Sequence, residues 1–164
     1  MAGQLFERWS NDIDHDNLGI QDDLNLLKNM TAASNAGQLS LCRSGGVRDR
    51  SFHGVAPEIC AAGLALMLVA VDSPNSAFYA CANSFAYTDG WMDFDQEDYY
   101  HHFLGAPQGE AVYGTDGLIR RSFEGANVTL DITAFSNDTS RADMRLNRGC
   151  VQWSTGETSG ICPE

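Results

Sequence analysis

The amino-acid sequence predicts an α/β chain in which a parallel sheet, built from alternating strand and helix units, leads into an antiparallel β-meander. Three observations predict it. Candidate strands and helices alternate over the first half of the chain. The third candidate strand, Ser76 to Phe85, is continuously apolar, as parallel strands covered on both faces are. After Gly114 the pattern changes to short stretches of period-two alternation separated by turn residues.

Gly3 to Trp9 is the first candidate strand, followed by a polar stretch rich in Asp and Asn. From Ile20 to Ala33, the residues Ile20, Leu24, Leu27 and Met30 recur at helical spacing, and Gly37 stands where a helix-stopping glycine would. Gln38 to Arg43 is the second strand, and Gly45-Gly46 opens the loop after it. Pro57 suits an early helical position, and Glu58 follows in the first turn, where its charge suits the helix dipole. This second helix is apolar nearly all round from Ala61 to Val71, so it should be well buried. Three parallel strands cannot close a barrel, which takes about eight. The pattern therefore predicts either a small open sheet or the last part of a larger barrel.

In the C-terminal part, Leu118 to Phe123 reads as a strand, and Val128, Leu130 and Ile132 alternate with Asn127, Thr129 and Asp131. The apolar parity shifts between the two at Gly125, which reads as a turn or bulge residue tolerating positive φ. A turn cluster, Ser136 to Ser140, precedes a third alternation over Asp143 to Asn147.

Composition narrows the function. Ten Lys plus Arg stand against 22 Asp plus Glu, for a formal net charge of -12. Nucleic-acid affinity rests on basic counterion release, and the longest basic cluster is Arg120-Arg121, so no nucleic-acid partner is expected. A neutral polyol or sugar is compatible with this charge. No run of eighteen apolar residues exists to span a membrane as a helix. No phosphate-cradling glycine loop, dinucleotide motif or G-x-S-x-G elbow appears.

The N-terminal residues show no signal-peptide pattern. Other features lean toward the secretory pathway. Asn-x-Thr sequons occur at Asn29, Asn127 and Asn137. Of the five cysteines, Cys150 and Cys162 bracket a Gly- and Ser-rich tail that they could close as a loop, with two free thiols the equal alternative. No C-x-x-C pattern supports zinc, and no metal is expected. Asp12 to Asn17 ("DIDHDN") has oxygen ligands at alternating positions but departs from the calcium-loop pattern at the glycine and glutamate positions.

The stretch "AAGLALMLVAV…SAFYACANSFAYTDGW", followed by "HHFLGAPQGEAVYGTDGLIRRSFEGANVTLDI", resembles the C-terminal end of a group of glycoside hydrolase-like proteins. Leu104-Gly105-Ala106-Pro107, then Arg121, Phe123, Val128 and Leu130, and finally Trp153 match that group's motifs in order. The resemblance implies a (β/α)8 barrel, the fold of that group, with the candidate strands as about the sixth, seventh and eighth. Residues 1–112 would then be a partial barrel region, and 113–164 the hairpin, meander and tail of the same domain. On this expectation roughly half of the catalytic domain lies outside the chain.

The resemblance also implies hydrolysis of glycosidic bonds in an oligo- or polysaccharide, with no cofactor. That chemistry needs two carboxyls flanking the scissile bond, and barrels carry them at the C-terminal ends of strands. Glu7, Asp12 and Asp14 follow the first strand and Asp89 the third; Glu7, Asp12 and Asp89 are the catalytic candidates. Asp12, Asp14 and Asp16 equally suit loop and N-cap positions. Trp9, Tyr87 and Trp91 lie at or just beyond strand ends, where an amphipathic aromatic beside a carboxylate suits a saccharide subsite. His53 could hydrogen-bond a hydroxyl or assist proton transfer. His101 and His102 could bind a metal but read more simply as exposed loop residues. Arg120 and Arg121 are expected to straddle the two hairpin faces, one of them pairing with an acidic loop. The competing reading is a non-catalytic secreted domain that binds carbohydrate or another partner. Oligomeric state stays open.

Overall fold

The computed structural model of the chain describes residues 3–6, 29, 31–33, 35–44, 57–70, 77–81, 101–131 and 149–163. Strands β1 (Gly3–Phe6), β2 (Leu39–Ser44) and β3 (Ala77–Cys81) form a parallel sheet in the order β1-β2-β3. Leu5 pairs with Leu41, and Leu41 with Phe78. The first and third strands fall inside the stretches expected from sequence, and β2 overlaps its own but runs one residue past Arg43, to Ser44. Helix α1, whose described residues are 29, 31–33 and 35, stops as Gly37 dictates. Gly37 takes φ of 69°. The Gln38 N–H then donates to the Ala33 carbonyl at 3.0 Å, the bond of a Schellman cap.

Five further strands form an antiparallel meander in the order β4-β5-β6-β7-β8. They are β4 (Val112–Tyr113), β5 (Leu118–Ser122), β6 (Ala126–Asp131), β7 (Gly149–Trp153) and β8 (Thr158–Gly160). Ile119 pairs with Leu130 and Arg121 with Val128. Odd positions of β5 thus oppose even positions of β6. The parity shift in the sequence is the signature of this pairing, continued around Glu124 and Gly125 by the Phe123 N–H donating to the Ala126 carbonyl at 2.8 Å. Ile119, Arg121, Phe123, Ala126, Val128, Leu130, Val151 and Trp153 are buried, whereas Arg120, Ser122, Asn127 and Gln152 are exposed.

Helix α2 (Pro57–Ala70) joins the two sheets, touching β5 to β8 as well as β2 and β3. Residues 61–70 are all buried. A helix apolar all round must be covered all round, and two sheets supply the cover. Gly149 lets the helix approach β7 closely: a methyl group there would sit 3.2 Å from both the Ala62 Cα and the Ala65 Cβ. Leu66, Leu68, Ile119, Leu130, Val128 and Val151 are fully buried, a contribution of roughly 1.5–3 kcal/mol each.

The (β/α)8 barrel expected from the resemblance is overturned. The described strands form one open parallel sheet and a larger open antiparallel sheet, not successive barrel units. Helices of a barrel's outer ring keep one face in water; residues 61–70 of α2 have none, because the antiparallel sheet packs on the helix.

One detail of the meander differs from expectation. Gly125 is not among the residues with positive φ. A side chain there would instead collide with the Phe103 carbonyl oxygen, so close approach of the segment before β4 explains the glycine. The next described strand is Gly149–Trp153, part of what reads as a tail, and it turns back into β8. Asp143 to Asn147 lies outside the described residues.

Cys150 and Cys162 are joined by a disulfide that spans 12 residues and closes the β7–β8 hairpin. Of the two alternatives open in the sequence, the closed loop is the one the fold adopts. Loop closure on this scale contributes about 3 kcal/mol.

Candidate functional site

The turns at one end of the antiparallel sheet converge with the segment preceding β4. Leu104 to Gln108 runs beside the end of β5: the Gly125 N–H donates to Leu104 O at 2.8 Å and Gln108 N–H to Ser122 O at 2.9 Å. The Glu124 N–H donates to Ala106 O at 3.0 Å, and Pro107 forms a bridge with Phe123. The β7–β8 turn joins them through the Ser154 N–H, which donates to Gly125 O at 2.8 Å. Its loop, Ser154-Thr155-Gly156, ends on Gly156 at φ of 93°, the left-handed position that a three-residue hairpin loop requires.

The paired backbones hold His102 and Phe103 at a corner. The His102 ring stacks on the Trp153 indole, with centroids 4.7 Å apart and planes 25° apart. The indole Nε1–H donates to Ser159 Oγ at 2.9 Å, which fixes the base of the stack. His102 Nε2 lies 3.3 Å from Glu157 Oε2, which also accepts from Thr155 Oγ1 at 2.9 Å. Phe103, by contrast, is 69 % exposed. Phe103 and Glu124 border the same point above Gly105, which a methyl group could not occupy: it would lie 2.6 Å from Glu124 Oε2 and 3.0 Å from Phe103 Cε1. Gly105 takes φ of 72°, so backbone and space both require glycine there.

The corner therefore presents an exposed apolar ring, an oriented imidazole, the hydroxyl of Thr155 and the carboxylates of Glu124 and Glu157, both on exposed residues. These groups can accept and donate hydrogen bonds to hydroxyls around an apolar face. Among the described residues, no group of three His, Cys, Asp or Glu could hold a metal ion.

Glu7, Asp12, Asp89, Trp9, His53, Tyr87 and Trp91 all lie outside the described residues, as do Asp14 and the "DIDHDN" loop. His101 is exposed as expected, whereas the His102 side chain is only 14 % exposed because Trp153 covers it. The two arginines do straddle the sheet. Arg120 pairs with Asp116 of the β4–β5 turn, Nη2 to Oδ2 at 2.7 Å, and that hydrogen bond holds the Asp116 carboxyl below the usual aspartate range. Arg121 faces inward, 5.3 Å over the Phe123 ring.

Thr155 and Glu157 carry no motif, so no sequence signal marks them as partners of His102. The turn that delivers them was open to detection. Gln152-Trp153 and Thr158-Ser159 flank Ser-Thr-Gly-Glu, a glycine-bearing hairpin loop between short alternating stretches. No protein-family model matches the chain, and no curated protein matches it.

Proposed function

We propose that the chain binds a neutral saccharide at the corner formed by His102, Phe103, Glu124, Thr155 and Glu157. The observation that carries this reading is the exposed Phe103, which borders the Glu124 carboxylate above Gly105 and follows directly on His102, whose ring Trp153 and Glu157 orient. A sugar ring offers an apolar C–H face and a rim of hydroxyls, which match an aromatic face and carboxylate acceptors. The formal charge of -12 favours a neutral sugar over an acidic one, because an anionic ligand would be repelled.

Binding is the conclusion rather than hydrolysis. The barrel that placed Glu7, Asp12 and Asp89 at strand ends is not the fold of the described residues. The test is a panel of neutral and acidic oligosaccharides titrated into the chain by calorimetry, with each mixture checked for cleavage by mass spectrometry. Binding of a neutral glycan should weaken about tenfold in Phe103→Ala, or about 1.4 kcal/mol, and also fall in Glu157→Gln. Binding indifferent to both substitutions, or none across the panel, would overturn the assignment. Glycan cleavage would instead return the hydrolytic reading.

A further inference from the structure

The outward face of the antiparallel sheet carries a feature that the saccharide corner does not use. Ser122, Asn127 and Gln152 form one cross-strand row, since Asn127 pairs with Ser122 on β5 and Gln152 on β7. All three are exposed. Asn127 begins the sequence Asn-Val-Thr, an N-glycosylation acceptor, with Val128 buried beneath it and Thr129 half-buried. The Ser122 hydroxyl donates to Asn127 Oδ1 at 2.8 Å, and the other amide atom, Nδ2, is the one that is glycosylated.

A second observation is independent of the motif. The Cys150–Cys162 disulfide belongs to an oxidising compartment, and the secretory lumen in which N-glycans are added is one. We infer that Asn127 carries an N-linked glycan on the outward face of the sheet.

The donor would be an oligosaccharide joined through a diphosphate to a lipid. A bond forms between Asn127 Nδ2 and the anomeric carbon, the bond from that carbon to the lipid diphosphate breaks, and the amide loses one proton. The glycan would then stand over short polar neighbours, Ser122 and Gln152, with no large side chain in its row. The other sequons contrast with this one. Asn29 is exposed, but it lies in α1 and the hydroxyl of its Thr31 donates to Ala70 O at 2.8 Å, tying that helix to the end of α2; Asn137 lies outside the described residues.

The experiment takes the protein from its natural source and treats it with a peptide-N-glycosidase in heavy-oxygen water, which converts a glycosylated Asn to labelled Asp. Arg121 and Arg141 bound a tryptic peptide that holds both Asn127 and Asn137, so a further cleavage after Phe135 separates them. Labelled Asp at 127 is the expected result. Unmodified Asn127 throughout, or label at 137 alone, overturns the inference. In cells producing the protein, Thr129→Ala should abolish the label at 127 and Thr129→Ser should retain it. Label at 127 that persists in Thr129→Ala would show labelling independent of the acceptor motif, as spontaneous deamidation gives, and would overturn the inference.

Discussion

Arg121 Nη1 lies 3.1 Å from the carbonyl oxygen of Leu68, so a buried guanidinium on β5 caps the last turn of α2. That turn contains no basic residue of its own. Its carbonyls have no intrahelical partner, and the negative end of the helix dipole favours a cation there. Thr31 supplies a second cap by donating to Ala70 O at 2.8 Å, and Arg121 Nε reaches Gly109 O at 3.2 Å. One arginine thus ties the helix, the sheet and the segment before β4 together.

Arg121→Met should destabilise the fold by about 3 kcal/mol, since buried carbonyls of the helix end and of Gly109 lose charged donors. Arg121→Lys keeps the charge but cannot reach both carbonyls with one fork, and should recover only part of the loss. Urea denaturation midpoints check both. An Arg121→Met midpoint equal to that of the parent would refute the capping role.

Gly125→Ala should cost about 2 kcal/mol and disturb the corner, because the methyl meets the Phe103 carbonyl. Gly109→Ala is the control: nothing lies within 4 Å of a methyl group there, and its stability should stay within about 0.5 kcal/mol. Thermal melts of the two variants provide the comparison. In the Gly125 variant the Trp153 fluorescence should also change, since the His102 stack depends on the same backbone.

Replacing Cys150 and Cys162 together by serine should lower stability by about 3 kcal/mol, chiefly by freeing the unfolded chain. The loss should appear equally when the parent is unfolded with reductant present. Hydrogen exchange should rise first in β8, whose return to β7 the bond secures.

The Asp116 carboxyl should titrate below the usual aspartate range, chiefly because Arg120 donates to it and secondarily because the Leu118 N–H does. A depressed carboxyl pKa stabilises the fold above the unfolded-state value, and that contribution is lost as pH falls through the folded value. Arg120→Gln should therefore raise the Asp116 midpoint, read by carboxyl-carbon NMR, while the Leu118 hydrogen bond preserves part of the depression. Because the pair is exposed, the effect on stability should be small and should shrink with added salt.

Much of the architecture was legible where periodicity is long. The alternation in β6, the apolar run of α2 and the Gly37 stop each reflect local physics, and each element stands where the sequence placed it. Strands of two or three residues, β4 and β8, are too short to show a period, and a Gly- and Ser-rich tail concealed β7. The carboxylates and aromatics proposed from strand-end positions fall outside the described residues. The corner came from elsewhere, because stacking of His102 on Trp153 joins residues 51 positions apart.

What the sequence determined by itself was local: which stretches extend, which coil, where the helix ends and which strand faces are apolar. Those properties follow from the spacing of side chains along one element. Only the tertiary structure decided that the strands divide into two open sheets, that α2 is buried between elements of both, and that Gly125 serves close packing rather than positive φ. It also decided that Arg121, one half of an Arg-Arg pair, turns inward while Arg120 turns out. The reason is physical: an unfilled carbonyl at a helix end and a bare indole face are satisfied by whatever the fold brings near, and sequence distance does not limit what that can be.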